Sequence, residues 1–196
     1  MAGWIGLALV VMAVVFVVGI YNRLVAKRNE VKNGFAQIDV QLSRRYELIP
    51  NLVAAAKKYL THEQETLTQV TAARNQAKSV LEGVQKVPEK GELARLAGAE
   101  QALGRQLGGL MATFESYPEL KGDATIEQLM EELSSTENRV AFARQYYNDV
   151  VNVYNTAVES FPENMVARVF GFSLLPWLEI EDVAVKRQTL RIDLDS

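Results

Sequence analysis

The first 22 residues carry no charged side chain. From Trp4 to Tyr21 they read WIGLALVVMAVVFVVGIY, an apolar run closed by an aromatic at each end. A helix rises about 1.5 Å per residue, so this stretch can cross a hydrocarbon core about 30 Å thick. Trp4 and Tyr21 suit the two interfaces, where an amphipathic ring is half wet. Nothing in the run alternates with polar residues, which argues against a buried core helix. A basic n-region and a small-x-small cleavage site are both missing, which argues against a cleaved signal. The expectation is a permanent anchor over residues 1–22. Arg23, Lys27, Arg28 and Lys32 come directly after it. The positive-inside bias therefore places the N-terminus outside and the rest of the chain in the cytoplasm.

Beyond the anchor, apolar residues recur at spacings of three and four. Leu24, Val31, Ile38, Leu52 and Tyr59 lie in one row of seven, with Phe35, Leu42, Ile49, Ala56, Val70, Ala77 and Val84 beside it. That seam predicts one long helix from Leu24 to Val84, about 90 Å if continuous. Pro50 sits inside it. As a helix start it would have Ile49 as its N-cap, a poor one. As a kink it leaves the carbonyl of Tyr46 unfilled, at a cost of about 3 kcal/mol. Leu42, Ile49 and Ala56 stay in phase across the proline, so a kinked continuous helix is expected.

GVQKVPEKGE, residues 83–92, reads as a turn. A second seam comes next in Leu93, Leu96, Leu103, Leu107, Leu110 and Phe114. It also contains Gly98, Gly104, Gly108 and Gly109, each costing about 1 kcal/mol in a helix interior. Such a helix either approaches a neighbour closely or depends on packing for its stability. YPELKGDAT, residues 117–125, breaks the pattern again, with Asp123 or Thr125 able to cap the next helix. The third seam has a strict heptad row, Ile126, Leu133, Val140, Tyr147, Tyr154 and Phe161, with Leu129, Ala143, Val150 and Ala157 alongside. A strict heptad implies a left-handed supercoil. FPEN at 161–164 ends or kinks this helix. The tail is apolar and aromatic (VFGFSLLPWLEI). It finishes in an alternation of Leu190, Ile192 and Leu194 that can form a short strand given a neighbour.

The expected fold class is therefore all-α. An N-terminal transmembrane helix (1–22) continues into an antiparallel bundle of three to four long helices with coiled-coil-like seams (23–167). A short C-terminal tail (168–196) completes the chain. Two topologies remain open. Either the later helices form one arm kinked at Pro118 that returns along the first, or three separate helices alternate in direction.

Few features point to chemistry. The net charge of -3 gives no global basic excess, and no nucleic-acid reader motif is present, so nucleic acid is not an expected partner. Cysteine is absent, which removes disulfides, thiolate metal sites and a cysteine nucleophile. His62 is the single histidine. Neither HExxH nor a paired Glu-x-x-His frame can be built around it, so no metal or other cofactor is expected. Phosphate loops, nucleophile elbows and framed pairs of catalytic carboxylates are likewise absent, and no catalytic residue is assigned.

Polar residues interrupt the seams at heptad spacing. Arg45, Glu63, Arg74, Glu100, Glu137 and Arg144 are the candidates for a polar network inside the bundle. Fixing helix register is the best-attested role of such buried ions, ahead of an acid-base site. Two Tyr-Asn pairs, Tyr147-Asn148 and Tyr154-Asn155, lie one heptad apart. A tyrosine hydroxyl needs a partner, so these four residues are either a polar edge of the core or contacts to a partner helix.

With those residues in view the chain resembles the LemA family. The likeness rests on YNRLVAKRNEVKNGFAQIDVQLSRRYELIPNLV (21–53), THEQETLTQVTAARNQ (61–76), the segment from YPELKGDATIEQL to ESFPENMVA (117–167), and the VFGF of 169–172. The resemblance implies a single N-terminal anchor in a bacterial inner membrane and an antiparallel helical bundle. It brings no firmly assigned biochemical activity. Some members are associated by gene context with membrane metallopeptidases, and relatives occur among magnetosome proteins. The family's typical tail carries more lysine and proline after the Gly-Phe pair than this one does.

Three functions are expected, in descending order. The first is a membrane-anchored helical scaffold that forms a homo-oligomer on the lipid bilayer. The second is an adaptor for another membrane protein, such as a metallopeptidase. The third, least favoured, is an enzyme using charged seam residues such as Glu63 and Arg74.

Overall fold

The computed structural model describes residues 1–179. Among them the chain forms six helices, α1 (Ala2–Ala56), α2 (Gln64–Glu82), α3 (Lys90–Glu115), α4 (Pro118–Lys121), α5 (Ala124–Glu159) and α6 (Glu163–Phe170). The fold is all-α, with one long apolar helix at the N-terminus. The strand expected at Leu190, Ile192 and Leu194 lies outside the described residues.

Anchor and bundle share α1 without a break. From Gly3 to Gly19 every residue is exposed, and burial begins at Ile20 and Leu24. An uncovered apolar helix of this length is stable in a bilayer, where its backbone bonds are satisfied internally.

The first seam does not run on to Val84 as a single helix. α1 passes through Pro50 but ends at Ala56, and α2 folds back along it. The reversal occupies residues 57–63. It is held by Leu60, fully buried, and by the Tyr59 hydroxyl, which donates to Asp123 Oδ2 at 2.8 Å. The heptad phase carried across the break because Ala56 and Val70 both face the same core. Phase alone does not separate a continuous helix from one folded back on itself. The physical reason for folding back is cover. A straight 60-residue helix would extend about 90 Å, whereas α5, its main partner, has 36 residues. The distal half of the seam finds apolar cover by turning onto the proximal half.

The result is an alternating bundle. Taking the direction away from the anchor as up, α1 runs up, α2 down, α3 up and α5 down. Arg74 of α2 lies against Tyr46 of α1, Glu100 of α3 against Arg45, and Tyr147 of α5 against Phe35. Neither expected topology is therefore correct as drawn. There are four long helices, because the first seam supplies two of them. The second and third seams are as expected. Leu93, Leu96, Leu103, Leu107, Leu110 and Phe114 are buried on α3, and Ile126, Leu133, Val140, Tyr147 and Tyr154 on α5. Phe161, last of the heptad row, is 78 % exposed because α5 ends at Glu159. Asp123 is the α5 cap, accepting from the backbone N–H of Thr125 and Ile126 at 2.9 and 3.2 Å.

Two kinds of glycine appear. Gly34 lies at the closest approach of α1 to α5, where an added Cβ would stand 3.3 Å from the Cα of Tyr147. At Gly98, Gly104, Gly108 and Gly109 an added Cβ would meet nothing within 4 Å among the described residues. Of the two explanations for a glycine-rich α3, dependence on packing is the one that fits within this chain.

Candidate functional site

Arg45 and Tyr46 are adjacent and buried in the distal half of the bundled part of α1. Arg45 Nη1 donates to Glu100 Oε2 at 2.9 Å, and the Tyr46 hydroxyl donates to the other oxygen of the same carboxylate. Arg45 Nη2 also reaches Glu137 Oε1 at 3.6 Å, an ion pair at the solvent rim. Arg74 Nε of α2 donates to the backbone carbonyl of Tyr46 at 2.8 Å. One helical turn of α1 thus gathers α2, α3 and α5 through named polar contacts.

The electrostatics derive from burial. Desolvation pushes the Glu100 carboxyl above its ordinary range, while Arg45 and the Tyr46 hydrogen bond pull it back without cancelling the rise. Burial, and then the nearby Glu100 charge, drive the Tyr46 phenol far upward, so it stays a neutral donor. Arg45 Nε is buried with no hydrogen-bond partner among the described residues. These contacts tie α1 to α2, α3 and α5 at one level of the bundle.

Of the six residues expected in a polar network, Arg45, Glu100, Glu137 and Arg74 meet at this node. Glu63 does not. It lies in the far reversal, where the Tyr117 hydroxyl approaches it at 3.4 Å. Arg144 is half-buried on α5, one heptad below Glu137. His62 is exposed in the reversal. Tyr46 was not among the sequence candidates. Its signal was available, since it stands four residues after Leu42 and three before Ile49, a seam position where a phenol needs a partner.

The second constellation holds the tail. After Gly171, which takes φ 72° and so turns the chain in a left-handed conformation, residues 172–179 run back along α5. Asn155 reads both main-chain groups of Leu175, donating to its carbonyl at 2.8 Å and accepting from its N–H at 2.9 Å. Asn148 does the same for Leu178 at 3.2 and 2.9 Å. The hydroxyls of Tyr154 and Tyr147 donate to the carbonyls of Ser173 and Pro176, each at 3.0 Å. Burial pushes the Tyr147 phenol up to about 12 and raises that of Tyr154. The Tyr-Asn ladder, expected from sequence as either a polar edge of the core or contacts to a partner helix, is occupied by the chain's own tail. It reads the tail through backbone atoms, in the manner of a neighbouring strand, while Leu175 and Leu178 bury their side chains.

The third feature is a groove along the outer face of α1 and α5. Ala36, Gln37, Val40 and Gln41 line one wall, and Arg139, Phe142, Ala143 and Tyr146 the other. Val40 is 62 % and Phe142 71 % exposed. Among the described residues no group of three or more His, Cys, Asp or Glu is placed to hold a metal ion.

The sequence model of the LemA family matches residues 34–193. Magnetosome proteins MamQ 1 and MamQ 2 of Paramagnetospirillum magneticum are each 28% identical over 168 residues, and MamQ of Magnetospirillum gryphiswaldense is 25% identical over the same length. The matches cover 78% of this chain but 62% of each relative, so the chain spans less than two thirds of their length.

Proposed function

We propose, from the premise that this chain belongs to the LemA family, that it is a membrane-anchored helical scaffold that assembles with copies of itself. Membrane association itself rests on the exposed apolar length of α1. Self-assembly rests on the α1–α5 groove. Val40 is 18 residues beyond Asn22, so the groove stands about 27 Å above the end of the span and faces sideways, where a neighbour on the same membrane reaches it. Exposed apolar surface of this kind marks an interaction site. Relatives described as magnetosome proteins support a role within a larger cellular structure. The polar node supports a non-catalytic reading, because its carboxylate is closed off by Arg45 and Tyr46. The basic flank Arg23, Lys27, Arg28 and Lys32 supports a cytoplasmic bundle on a bacterial inner membrane.

The test is the mass of the detergent-solubilised chain at micromolar concentration, with and without Phe142→Glu. A wild-type oligomer that the substitution dissociates is the expected result. A wild-type monomer overturns the proposal. Co-purification of a different membrane protein, lost on the same substitution, would favour the adaptor reading instead.

A further inference from the structure

α6 docks onto α1 at the level where the uncharged span ends. Its inner face, Val166 and Ala167, forms a small core with Ile20, Leu24 and Ala157. Arg23, the first charge after the span, pairs with Glu163 at 3.2 Å. The Tyr21 ring lies 5.0 Å from that of Phe170 and 5.6 Å from that of Phe172. The outer face is apolar as well. Phe161, Met165 and Val169 succeed one another at four-residue spacing and are 78 %, 62 % and 78 % exposed, and Phe170 is 53 % exposed. In water this face has no reason to exist. A helix amphipathic in this inverted sense, with Arg168 on its rim, suits the headgroup–acyl boundary.

We propose that α6 and Phe161 form a second membrane-contact element that lies in the interfacial layer of the same leaflet, beside Tyr21. The occupant is lipid. The face continues directly from the span through Tyr21, itself partly exposed and packed on Phe170. Exposed Arg168 and Arg28 stand ready for anionic headgroups, each adding to attachment at the surface. The consequence is orientation. An anchor by itself leaves a domain free to tilt about its exit point, whereas a second contact fixes both tilt and azimuth, and so the direction in which the α1–α5 groove faces.

This inference depends on the span but not on self-assembly, and the experiment separates the two. The chain lacks cysteine, so single-cysteine variants can be nitroxide-labelled and placed one copy per lipid nanodisc. Met165→Cys and Val169→Cys sit on the proposed face, Phe142→Cys on the bundle side and Val11→Cys in the span. All four positions are exposed, so the label displaces no core. The expected result is that labels at 165 and 169 collide more with oxygen than with a water-soluble nickel chelate, as the label at 11 does, while the label at 142 shows the reverse. Labels at 165 and 169 that match the one at 142, with the label at 11 still in lipid, overturn the proposal and leave the anchor standing.

Discussion

The carbonyl oxygen of Tyr46 accepts a hydrogen bond from Arg74 Nε at 2.8 Å, and Pro50, four residues on, has no N–H with which to fill it. The proline in the middle of α1 and the arginine on α2 are thus two halves of one arrangement. Pro50 opens a carbonyl in the helix ladder, and a side chain from the helix that folds back closes it.

Arg74→Met keeps much of the side-chain stem and removes the donor. Leaving a buried carbonyl unsatisfied costs about 1–3 kcal/mol, and a loss of that size is expected in urea titrations of the solubilised chain. Pro50→Ala supplies the missing N–H. In that background Arg74→Met is expected to cost less than half as much, giving a coupling energy of about 1 kcal/mol in a double-mutant cycle. Additive effects would mean that Arg74 acts by packing or charge alone.

Glu100 sets a pH dependence whose sign is fixed. Its carboxyl is raised in the folded state, chiefly by burial, so the folded chain holds that proton more tightly than the unfolded chain does. Its contribution is then fully present below the ordinary carboxylate pKa and is lost as pH rises through the raised folded value. Glu100→Gln mimics the protonated form and is expected to flatten this part of the stability–pH curve while costing little at neutral pH. Arg45→Met strands a buried carboxylate and is expected to cost about 3–5 kcal/mol at neutral pH, with part of that loss recovered in acid. Calorimetric melts of both variants across the acid-to-neutral range provide the measurement.

The tail is held by backbone recognition, so side chains that make no contact there are free to vary while the two asparagines are not. Asn155→Leu removes both bonds to Leu175 and leaves buried main-chain groups unpaired. Amide exchange at residues 173–178 is expected to accelerate about tenfold or more, for a loss of about 1.4 kcal/mol or more, with α2 and α3 unaffected. Trp177→Ala, at a half-exposed position, is expected to leave exchange nearly unchanged. Equal effects of the two substitutions would contradict backbone recognition.

The seams of α3 and α5 were legible because each is a single helix, whose period reports the buried face directly. The reversal at 57–63 was not, because Ala56 and Val70 hold the same phase whether the helix continues or folds back. Four of the polar-node residues, Arg45, Arg74, Glu100 and Glu137, announced themselves as charges interrupting the seams. Their shared carboxylate at Glu100 depends on how four helices are arranged, which no local pattern carries. Tyr147, Asn148, Tyr154 and Asn155 were visible as a ladder. Their occupant was hidden because backbone atoms leave no mark in the sequence of the segment they hold. The outward face of α6 is short, and the sequence divides its apolar residues between the bundle (Phe161, Met165) and the tail (Val169, Phe170), so that only the docking at Ile20 and Leu24 shows which side remains open.

Gly34 and Gly98 provide a paired test of where the bundle is tight. Both are helical, so replacing either by alanine gains up to about 1 kcal/mol of intrinsic propensity. At Gly98 the new methyl meets nothing within 4 Å among the described residues, and Gly98→Ala is expected to raise stability by that amount. At Gly34 the methyl would lie 3.1 Å from Val150 Cγ2 and 3.3 Å from the Tyr147 Cα. Val150 can turn aside, but the Cα of Tyr147 moves only if α5 does, and α5 carries the asparagine and tyrosine ladder on the same turns. Gly34→Ala is therefore expected to lose the propensity gain and fall slightly below wild type. Gly34→Leu is expected to cost about 1–3 kcal/mol, as overpacking does, and to loosen the tail along with the α1–α5 contact. Urea titrations of the three variants, with amide exchange at residues 173–178 as the second readout, check the sign at each site. A stabilising Gly34→Ala would show that the two helices have room to spare.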